Sequence, residues 1–257
     1  MKKNLIIFGT RPEAIKMAPL VKEFKHQSDF FDTRVCVTAQ HRQMLDQVLD
    51  FFQIVPDYDL DIMKPNQNLY SLTADIITAL RTVLEDFRPD YVYVHGDTTT
   101  STVAALAAFY AGAQVCHIEA GLRTHNKLSP FPEEMNRQLT GRLTDYHFSP
   151  TSTSKENLLK ENVCEERILV TGNTVIDALL ESVERVEYLD NDEIQRLKTI
   201  VEPSKDLILV TGHRRENHGQ GFVNICNALK EIAETENVQI IYPVHLNPNV
   251  KGPVHEI

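Results

Sequence analysis

Apolar segments with the length of β-strands alternate along most of this chain with segments of helical periodicity. This alternation constrains the fold most, because strands that are apolar on both faces require helices on both sides of one sheet. The predicted strands are Asn4–Phe8, Thr33–Thr38, Tyr91–His95, Ala113–Ile118, Tyr146–Ser149, Arg167–Val170, Leu207–Thr211 and Gln239–Val244. The predicted helices are Glu13–Lys25, Gln40–Phe52, Leu69–Phe87, Thr100–Tyr110, Pro132–Leu143, Ser152–Glu161, Asn173–Arg185, Asp192–Ile200 and Phe222–Glu236. The pattern predicts an α/β protein with parallel sheets.

The alternation falls into two units of unequal length. The strands before Thr171 are enough for a doubly wound, Rossmann-like sandwich, so we place an N-terminal domain at residues 1–171. A second unit follows a charged connection from Asp190 to Ser204, and it contains two strands and one full helix. Two strands make an incomplete sheet. We therefore predict a partial C-terminal, Rossmann-like nucleotide-binding domain at residues 172–257.

Composition excludes several classes of protein. A net charge of −10 at pH 7 argues against a nucleic-acid surface. No apolar run approaches the length of about 18 residues that a membrane span requires. The short apolar N-terminus leads directly into Gly9 and predicts a strand, not a signal peptide. Because the four cysteines form no C-x-x-C pair, we expect a cytoplasmic protein.

The stretch from Cys116 to Arg137 carries the strongest functional signal. A predicted strand ends at Glu119, and a proline-bounded loop then leads to Glu133 and Glu134 at the start of a helix. Residues just past the carboxyl end of a strand line the ligand crevice of an open α/β sheet. Acids and arginines gathered there favour a charged ligand or proton transfer. The alternative is a solvated loop whose acids cap the next helix.

A second motif, Gly9-Thr10-Arg11-Pro12-Glu13, lies between the first strand and the first helix. The helix N-terminus would present N–H groups to an anion, and Arg11 and Lys16 would add positive charge. The chain contains neither the dinucleotide fingerprint G-x-G-x-x-G nor a P-loop. The motif therefore predicts an anion site of another kind, and the alternative is an ordinary capped helix.

A third motif, His95-Gly96-Asp97-Thr98, again follows a predicted strand. Taken alone, Asp97 has the character of a helix N-cap. Beside Glu119 and Glu133 in one crevice it becomes a candidate acid or base, because clustered carboxylates raise one another's pKa. A carboxyl group whose pKa lies nearer neutrality is suited to removing and returning a proton at a weakly acidic C–H.

The segment from Thr211 to Gly219 follows the first strand of the second unit and contains His213 and Arg214. Arginine matches phosphate oxygens with paired hydrogen bonds, so the segment predicts diphosphate binding, with a plain surface loop as the alternative. His245 follows the last predicted strand on the same crevice side. No spacing of histidine and cysteine resembles a metal site, and we predict none.

Together these motifs resemble the non-hydrolysing UDP-N-acetylglucosamine 2-epimerases of bacteria and archaea. The matching segments are Gly9–Pro19, Thr38–Arg42, His95–Thr98, His117–Arg123, Pro132–Arg137, Thr171–Thr174, Thr211–Glu216 and Pro243–His245. The resemblance implies two domains of glycosyltransferase-B type with the nucleotide-sugar between them. It also implies reversible conversion of UDP-GlcNAc to UDP-ManNAc for cell-envelope polysaccharide synthesis.

The reaction implied by the resemblance is anti elimination of UDP to 2-acetamidoglucal, followed by re-addition with the hydrogen returned on the other face. It needs no nicotinamide, and we expect no cofactor. By position, the predicted catalytic residues are Asp97, Glu119, Glu133 and His213. The predicted substrate-binding residues are Arg11, Lys16, Arg137 and Arg214. An activating second UDP-GlcNAc site is predicted at Gln40, Gln43 and His245. Which acid takes the C2 proton stays open.

The resemblance also implies a chain that is truncated at its C-terminus. The family's second domain continues beyond the length of this chain, with a Gly-rich, Glu-containing segment that holds the uridine diphosphate and a C-terminal helix. If 257 residues were the whole polypeptide, we would expect impaired substrate binding. The expected partners are UDP-GlcNAc, UDP-ManNAc and a second copy in a homodimer, without nucleic acid or membrane.

Four alternatives stay open at this point. They are a hydrolysing relative that releases ManNAc and UDP, an epimerase of another UDP-2-acetamido sugar, a glycosyltransferase, and an inactive UDP-sugar-binding fragment. The segment Pro132–Arg137 favours the non-hydrolysing branch. Product analysis separates the first two, and consumption of UDP-sugar without an acceptor would eliminate the third.

Overall fold

The computed structural model of the chain describes residues 1–39, 42–64, 67–212, 219–244, 251–252 and 254–255. Its strands are β1 (Lys2–Phe8), β2 (Phe31–Val37), β3 (Tyr58–Asp59), β4 (Tyr91–His95), β5 (Gln114–Ile118), β6 (Tyr146–Ser149), β7 (Ile168–Val170), β8 (Asp206–Leu209) and β9 (Val238–Ile241). Its α-helices are α1 (Arg11–His26), α2 (Arg42–Phe52), α3 (Leu69–Phe87), α4 (Thr99–Tyr110), α5 (Glu133–Leu143), α6 (Ser152–Lys160), α7 (Val175–Tyr188), α8 (Asp192–Ile200) and α9 (Gln220–Thr235).

Seven parallel strands form the sheet of the first unit, in the order β3-β2-β1-β4-β5-β6-β7. The chain runs outward from β1 to β3 on one side and outward from β4 to β7 on the other. The order therefore reverses between β1 and β4, where the loops at the carboxyl ends of these two strands diverge. Such a reversal opens the crevice in which open α/β sheets bind their ligands.

Both faces of this sheet are covered, and β1 shows why. Leu5 and Ile7 lie in the core cluster formed with α3 and α4, whereas Ile6 and Phe8 lie in the cluster formed with α1 and α2. All four side chains are fully buried. Successive side chains of a strand point to opposite faces, so a continuous apolar run is what a strand between two helical layers requires. The predicted α/β class with a doubly wound parallel sheet is confirmed.

The chain divides into two compact units, residues 1–184 and 185–257. The first turns of α7 belong to the first unit, because Ala178 is buried in the cluster of α1 and α2. The domain boundary at residue 171 stays a prediction. In the second unit β8 pairs in parallel with β9, and Phe222 and Cys226 of α9 form a small core with Tyr242. None of the described helices is long and apolar enough to cross a membrane.

Each predicted helix and strand is present, with ends that shift by up to three residues. Among the described residues, β3 and a 3-10 helix at Glu165–Arg167 are examples of short elements that the sequence did not predict. A two-residue strand at the edge of a sheet is too short to show an alternating pattern. It forms because β2 offers it free backbone groups at Cys36 and Val37, which is a tertiary effect.

Candidate active site

A cavity of about 210 Å³ lies at the carboxyl edge of the first unit's sheet, where the strand order reverses. Four segments enclose it: the N-terminus of α1, the turn after β4, the residues after β5, and α5. The residues that line it are Thr10, Pro12, Glu13, Lys16, His95, Gly96, Asp97, Thr98, Glu119, Leu122 and Arg137. The expectation that the strand-end motifs lie along one crevice is therefore met for the motifs after β1, β4 and β5.

Glu119 follows β5 directly and has a left-handed backbone conformation, with a φ of 62°. For a residue other than glycine, this conformation costs roughly 1–2 kcal/mol. The backbone turns sharply here, because Gly121 also has a positive φ of 90° and a Cβ on it would collide with the carbonyl oxygen of Ser154. Backbone strain of this kind concentrates at functional sites. In this conformation the Glu119 carboxylate lies in the cavity wall.

Neighbouring side chains determine the charge of Glu119. Lys16 Nζ donates to both carboxylate oxygens, at 2.9 and 2.6 Å, and His95 Nε2 lies 2.8 Å from Oε2. Asn173 Nδ2 donates to Oε1 at 3.3 Å. Burial acts to raise the pKa of Glu119, but His95 and Lys16 outweigh it and lower the pKa to about 2. The carboxylate is ionised and is a weak base as long as Lys16 remains bound to it.

Asp97 contributes the second carboxylate, from the turn after β4. Its Oδ2 is ion-paired with Nη2 of Arg137, a mostly buried side chain of α5. Arg137 Nη1 donates in turn to Glu134 Oε2 at 3.1 Å. The cavity thus contains two cation–carboxylate pairs, Lys16 with Glu119 and Arg137 with Asp97. An anionic ligand can compete for either cation, and a proton donor or acceptor is then released beside it.

Glu134 supports Arg137 through the hydrogen bond that Arg137 donates to it. Its side chain is fully buried and accepts hydrogen bonds from the backbone N–H groups of Thr124 and His125, at 3.0 and 3.1 Å. Gln138 Nε2 donates to it at 2.9 Å. Burial acts to raise the pKa of Glu134, and the hydrogen bonds, with the charge of Arg137, lower it overall. Its carboxylate fixes the loop after β5 to α5, which is a structural task beyond the helix capping weighed from the sequence.

Glu13 is a site residue for which the sequence predicted no role. It is buried, and its Oε2 accepts from the N–H groups of Gly9 and Thr10, at 3.0 and 2.8 Å. Its Oε1 accepts from the hydroxyls of Thr98 and Ser101, at 2.6 and 2.9 Å. Glu13 therefore joins the start of α1 to the start of α4 across the reversal in strand order. The spacing Thr-x-x-Glu of a capping box was the available signal.

The remaining predicted site residues have different placements. Arg11 is exposed as the first residue of α1, and Glu133 is half-buried as the first residue of α5. Neither is among the residues that line the cavity. Four predicted site residues lie outside the described residues, namely Gln40, His213, Arg214 and His245, and so does the side chain of Gln43. The structure thus brings together Lys16, Asp97, Glu119 and Arg137.

Charge in the cavity favours a ligand that is anionic at one end. Lys16 and Arg137 supply the positive charge, and the N-termini of α1 and α4 add N–H groups and partial positive charge. Among the described residues, no three histidine, cysteine or acidic side chains are grouped to hold a metal ion. The chemistry that the arrangement supports is binding of a phosphorylated molecule next to carboxylates that exchange protons.

Known proteins are similar to this chain in sequence and in fold. A family model described as UDP-N-acetylglucosamine 2-epimerase matches residues 22–257. The UDP-N-acetylglucosamine 2-epimerase of Escherichia coli K12 is 57% identical over 258 residues, which span 99% of this chain and 68% of that protein. The protein of the same name from Campylobacter jejuni is 55% identical over 260 residues, with 99% and 68% covered.

A solved structure gives the same result in three dimensions. The crystal structure of UDP-GlcNAc 2-epimerase from Neisseria meningitidis bound to UDP-GlcNAc matches with a TM-score of 0.88 and 50% identity, over 99% of this chain and 69% of that one. The family model covers almost the entire chain, and the relatives exceed half identity over nearly its full length. The chain therefore belongs to the UDP-N-acetylglucosamine 2-epimerase family.

Proposed function

We propose that this chain binds UDP-GlcNAc and epimerises it reversibly at C2 to UDP-ManNAc. The proposal is supported by the family to which the chain belongs and by the UDP-GlcNAc that the Neisseria meningitidis relative holds. The single observation that carries it is Glu119, which has a left-handed backbone and a carboxylate paired with Lys16 in the cavity that also contains Asp97 and Arg137.

The proposed reaction has two steps that balance without an oxidant or reductant. In the first, a base takes the C2 proton and the C1–O bond breaks with its electron pair going to UDP, which leaves 2-acetamidoglucal with a C1–C2 double bond. In the second, the UDP oxygen forms a bond to C1 and a proton returns to C2 on the other face. Because neither step transfers a hydride, the proposed route uses no nicotinamide.

Lys16 connects substrate binding to this chemistry. Both His95 and Lys16 lower the pKa of Glu119, and a diphosphate that attracts Lys16 removes the second of these two influences, so Glu119 becomes a stronger base. Arg137 offers the same exchange to Asp97. We propose Asp97, Glu119, Glu133 and His213 as the catalytic residues. We propose Arg11, Lys16, Arg137 and Arg214 as the residues that bind substrate or the departing UDP.

Further parts of the proposal concern the protein as a whole. UDP-ManNAc would supply cell-envelope polysaccharide synthesis. The enzyme would act in the cytoplasm as a homodimer, and each subunit would contain one domain at residues 1–171 and a second at residues 172–257. A second, activating UDP-GlcNAc site would include Gln40, Gln43 and His245. These statements rest on the family resemblance, and each follows from it independently of the cavity.

Proton NMR of the 257-residue chain with UDP-GlcNAc in deuterated water tests the central proposal. We expect deuterium at C2 together with UDP-ManNAc signals, and the same result after dialysis against a chelator and without added NAD. Release of free ManNAc and UDP would instead identify a hydrolysing enzyme. A folded sample that shows no exchange at C2 would overturn the proposal for this chain.

A further inference from the structure

Side-chain donors hold the peptide groups on both sides of Asp97. His117 Nε2 lies 2.7 Å from the carbonyl oxygen of Gly96, which belongs to the peptide group before Asp97. Asn136 Nδ2 donates at 2.9 Å to the carbonyl oxygen of Asp97 itself, in the peptide group after it. The Gly96 N–H also donates to the carbonyl oxygen of Ile118 at 2.9 Å. We call residues 96–98 the Asp97 turn.

The turn needs such support, because its first residue is a glycine with a φ of 63°. Glycine adopts positive and negative φ with similar ease, so its own conformational preference does not fix the direction of the chain that follows. A side chain's direction follows from the two peptide groups that flank its Cα. When both groups are fixed, the Asp97 carboxylate is directed at one place in the cavity.

The protonation state of His117 suits this task. A carbonyl oxygen only accepts, so Nε2 carries the proton and Nδ1 is bare. His117 is 1% exposed, and burial lowers its pKa to about 3, against the opposing effect of the bond to Gly96. The ring is therefore neutral and in a single tautomer at neutral pH. Nδ1 has no hydrogen-bond partner among the described residues, which costs free energy that an apolar side chain would avoid.

We propose that His117 and Asn136 are positioning residues for Asp97, since they fix the two peptide groups that direct its carboxylate. The inference rests on the proposed function, because the direction of the Asp97 carboxylate affects the rate only if Asp97 acts on the substrate. It goes beyond that function by assigning a role to a buried histidine of β5 and to an asparagine of α5 that do not line the cavity.

The chain offers a matched control for His117. His147 lies on β6 directly beside His117 in the sheet, and it is also 1% exposed, with an Nδ1 that has no hydrogen-bond partner among the described residues. Burial lowers its pKa as well, to about 4. The described contacts of His147 do not include the Asp97 turn. His147→Leu therefore removes a buried imidazole at comparable cost in packing and leaves the turn supported.

Kinetics of C2 exchange give the first test. We expect His117→Leu and Asn136→Leu to lower kcat by about 10- to 100-fold with little change in KM, because a small displacement of a catalytic group reduces the rate more than it reduces binding. His117→Gln keeps an N–H donor at nearly the same position and should recover most of the rate. The kcat of His147→Leu should stay within about threefold of the wild-type value, because this substitution does not displace Asp97. Equal losses in His117→Leu and His147→Leu would overturn the inference.

A double-mutant cycle separates positioning from general destabilisation. In the Asp97→Asn background, His117→Leu should cause no further loss of rate, because it acts through a carboxylate that is already absent. Its effect on the free energy of unfolding should persist unchanged in both backgrounds. Losses in rate that multiply across the two substitutions would assign His117 a role independent of Asp97, and the inference would fail.

Hydrogen exchange of the Gly96 amide tests the inference without turnover. We expect faster exchange of this amide in His117→Leu than in His147→Leu, after correction for the global free energy of unfolding measured for each variant. Equal exchange in the two variants would overturn the positioning role. If the wild-type chain shows no C2 exchange, the proposed function fails, and the amide measurement still decides whether His117 holds the turn.

Discussion

Two glutamates near the cavity differ in the kind of hydrogen-bond donor that they contact: Glu119 lines the cavity, and Glu134 lies fully buried behind Arg137. Glu119 accepts from the side chains of Lys16 and Asn173, whereas Glu134 accepts from the backbone N–H groups of the loop at residues 124–125. Both have a lowered pKa, and both contact a cation. The direction of the pKa shift alone does not distinguish the two.

The difference between these donors separates function from structure. A lysine side chain can leave a carboxylate and bind a ligand phosphate by rotating about single bonds. A backbone N–H can leave only if the loop that carries it changes conformation. Glu119 can therefore take part in a reaction cycle, and Glu134 cannot without local unfolding. In a cluster of acids, the origin of the donors indicates which acid is available for chemistry.

The largest expected effect is on turnover. Glu119→Gln, Asp97→Asn and Glu133→Gln should each lower the rate of C2 exchange by about 10²- to 10⁴-fold, the usual contribution of a positioned acid or base. Their thermal transitions should match that of wild type, because the backbone of the fold does not depend on these three charges. If one of these variants exchanges at the wild-type rate, the residue that it changes is not catalytic. For Glu133, which does not line the cavity, this is the decisive observation.

The isosteric change Glu134→Gln should mainly lower the stability of the fold, whereas the three changes above should mainly lower turnover. It replaces a buried carboxylate that accepts two backbone N–H groups and faces Arg137, so it leaves buried partners unpaired. We expect a loss of about 2–4 kcal/mol in the free energy of unfolding, measured with urea. The matched change Glu119→Gln should cost less than about 1 kcal/mol. Similar losses in the two variants would remove the distinction between the glutamates.

Acid should destabilise the fold through His117 and His147 before it affects either glutamate. Each histidine has a folded-state pKa below its unfolded value, so its stabilising contribution is complete above about pH 6.5 and declines as pH falls toward the folded value, about 3 and about 4. We expect a loss of about 2 kcal/mol for each histidine between pH 7 and 5. The glutamates, with lowered pKa, lose their contribution only below about pH 4.5.

Urea unfolding of wild type and of the double variant His117→Leu/His147→Leu, at a series of pH values, provides the measurement. The double variant should be less stable at pH 7 and should lose much less stability from pH 7 to 5. A slope equal to that of wild type would mean that other groups account for the acid sensitivity of the fold.

The smallest expected effect on stability comes from Lys16→Met. The ion pair with Glu119 is partly exposed, so its loss should change the free energy of unfolding by less than about 1 kcal/mol. The pKa of Glu119 should rise, because burial is then opposed by His95 without the contribution of Lys16. Carbon-13 NMR titration of the Glu119 carboxyl would show it, with Arg11→Met as a control for loss of an exposed cation nearby. An unchanged titration would contradict the role assigned to Lys16.

Much of the fold could be predicted because its signals are local. Apolar runs identify strands covered on both faces, and helical periodicity between them specifies a parallel sheet. Asp97 and Glu119 could be placed in one crevice for the same reason, since both directly follow strands whose carboxyl ends lie at one edge. The ends of strands were less certain because polar residues such as Lys2 and Lys3 extend β1 by pairing with Phe31 and Asp32.

The sequence by itself determined the α/β class, the strand-end motifs and the acids that follow β4 and β5, because these depend on neighbours within a few residues. Only the tertiary structure decided that Lys16 binds Glu119, 103 positions away. The same structure decided that Glu13 accepts hydrogen bonds from backbone and hydroxyl donors and that Glu134 accepts them from the backbone. It also decided that His117 supports the Asp97 turn. Burial and hydrogen-bond partners arise from the packing of distant segments, and no short pattern of residue types encodes them.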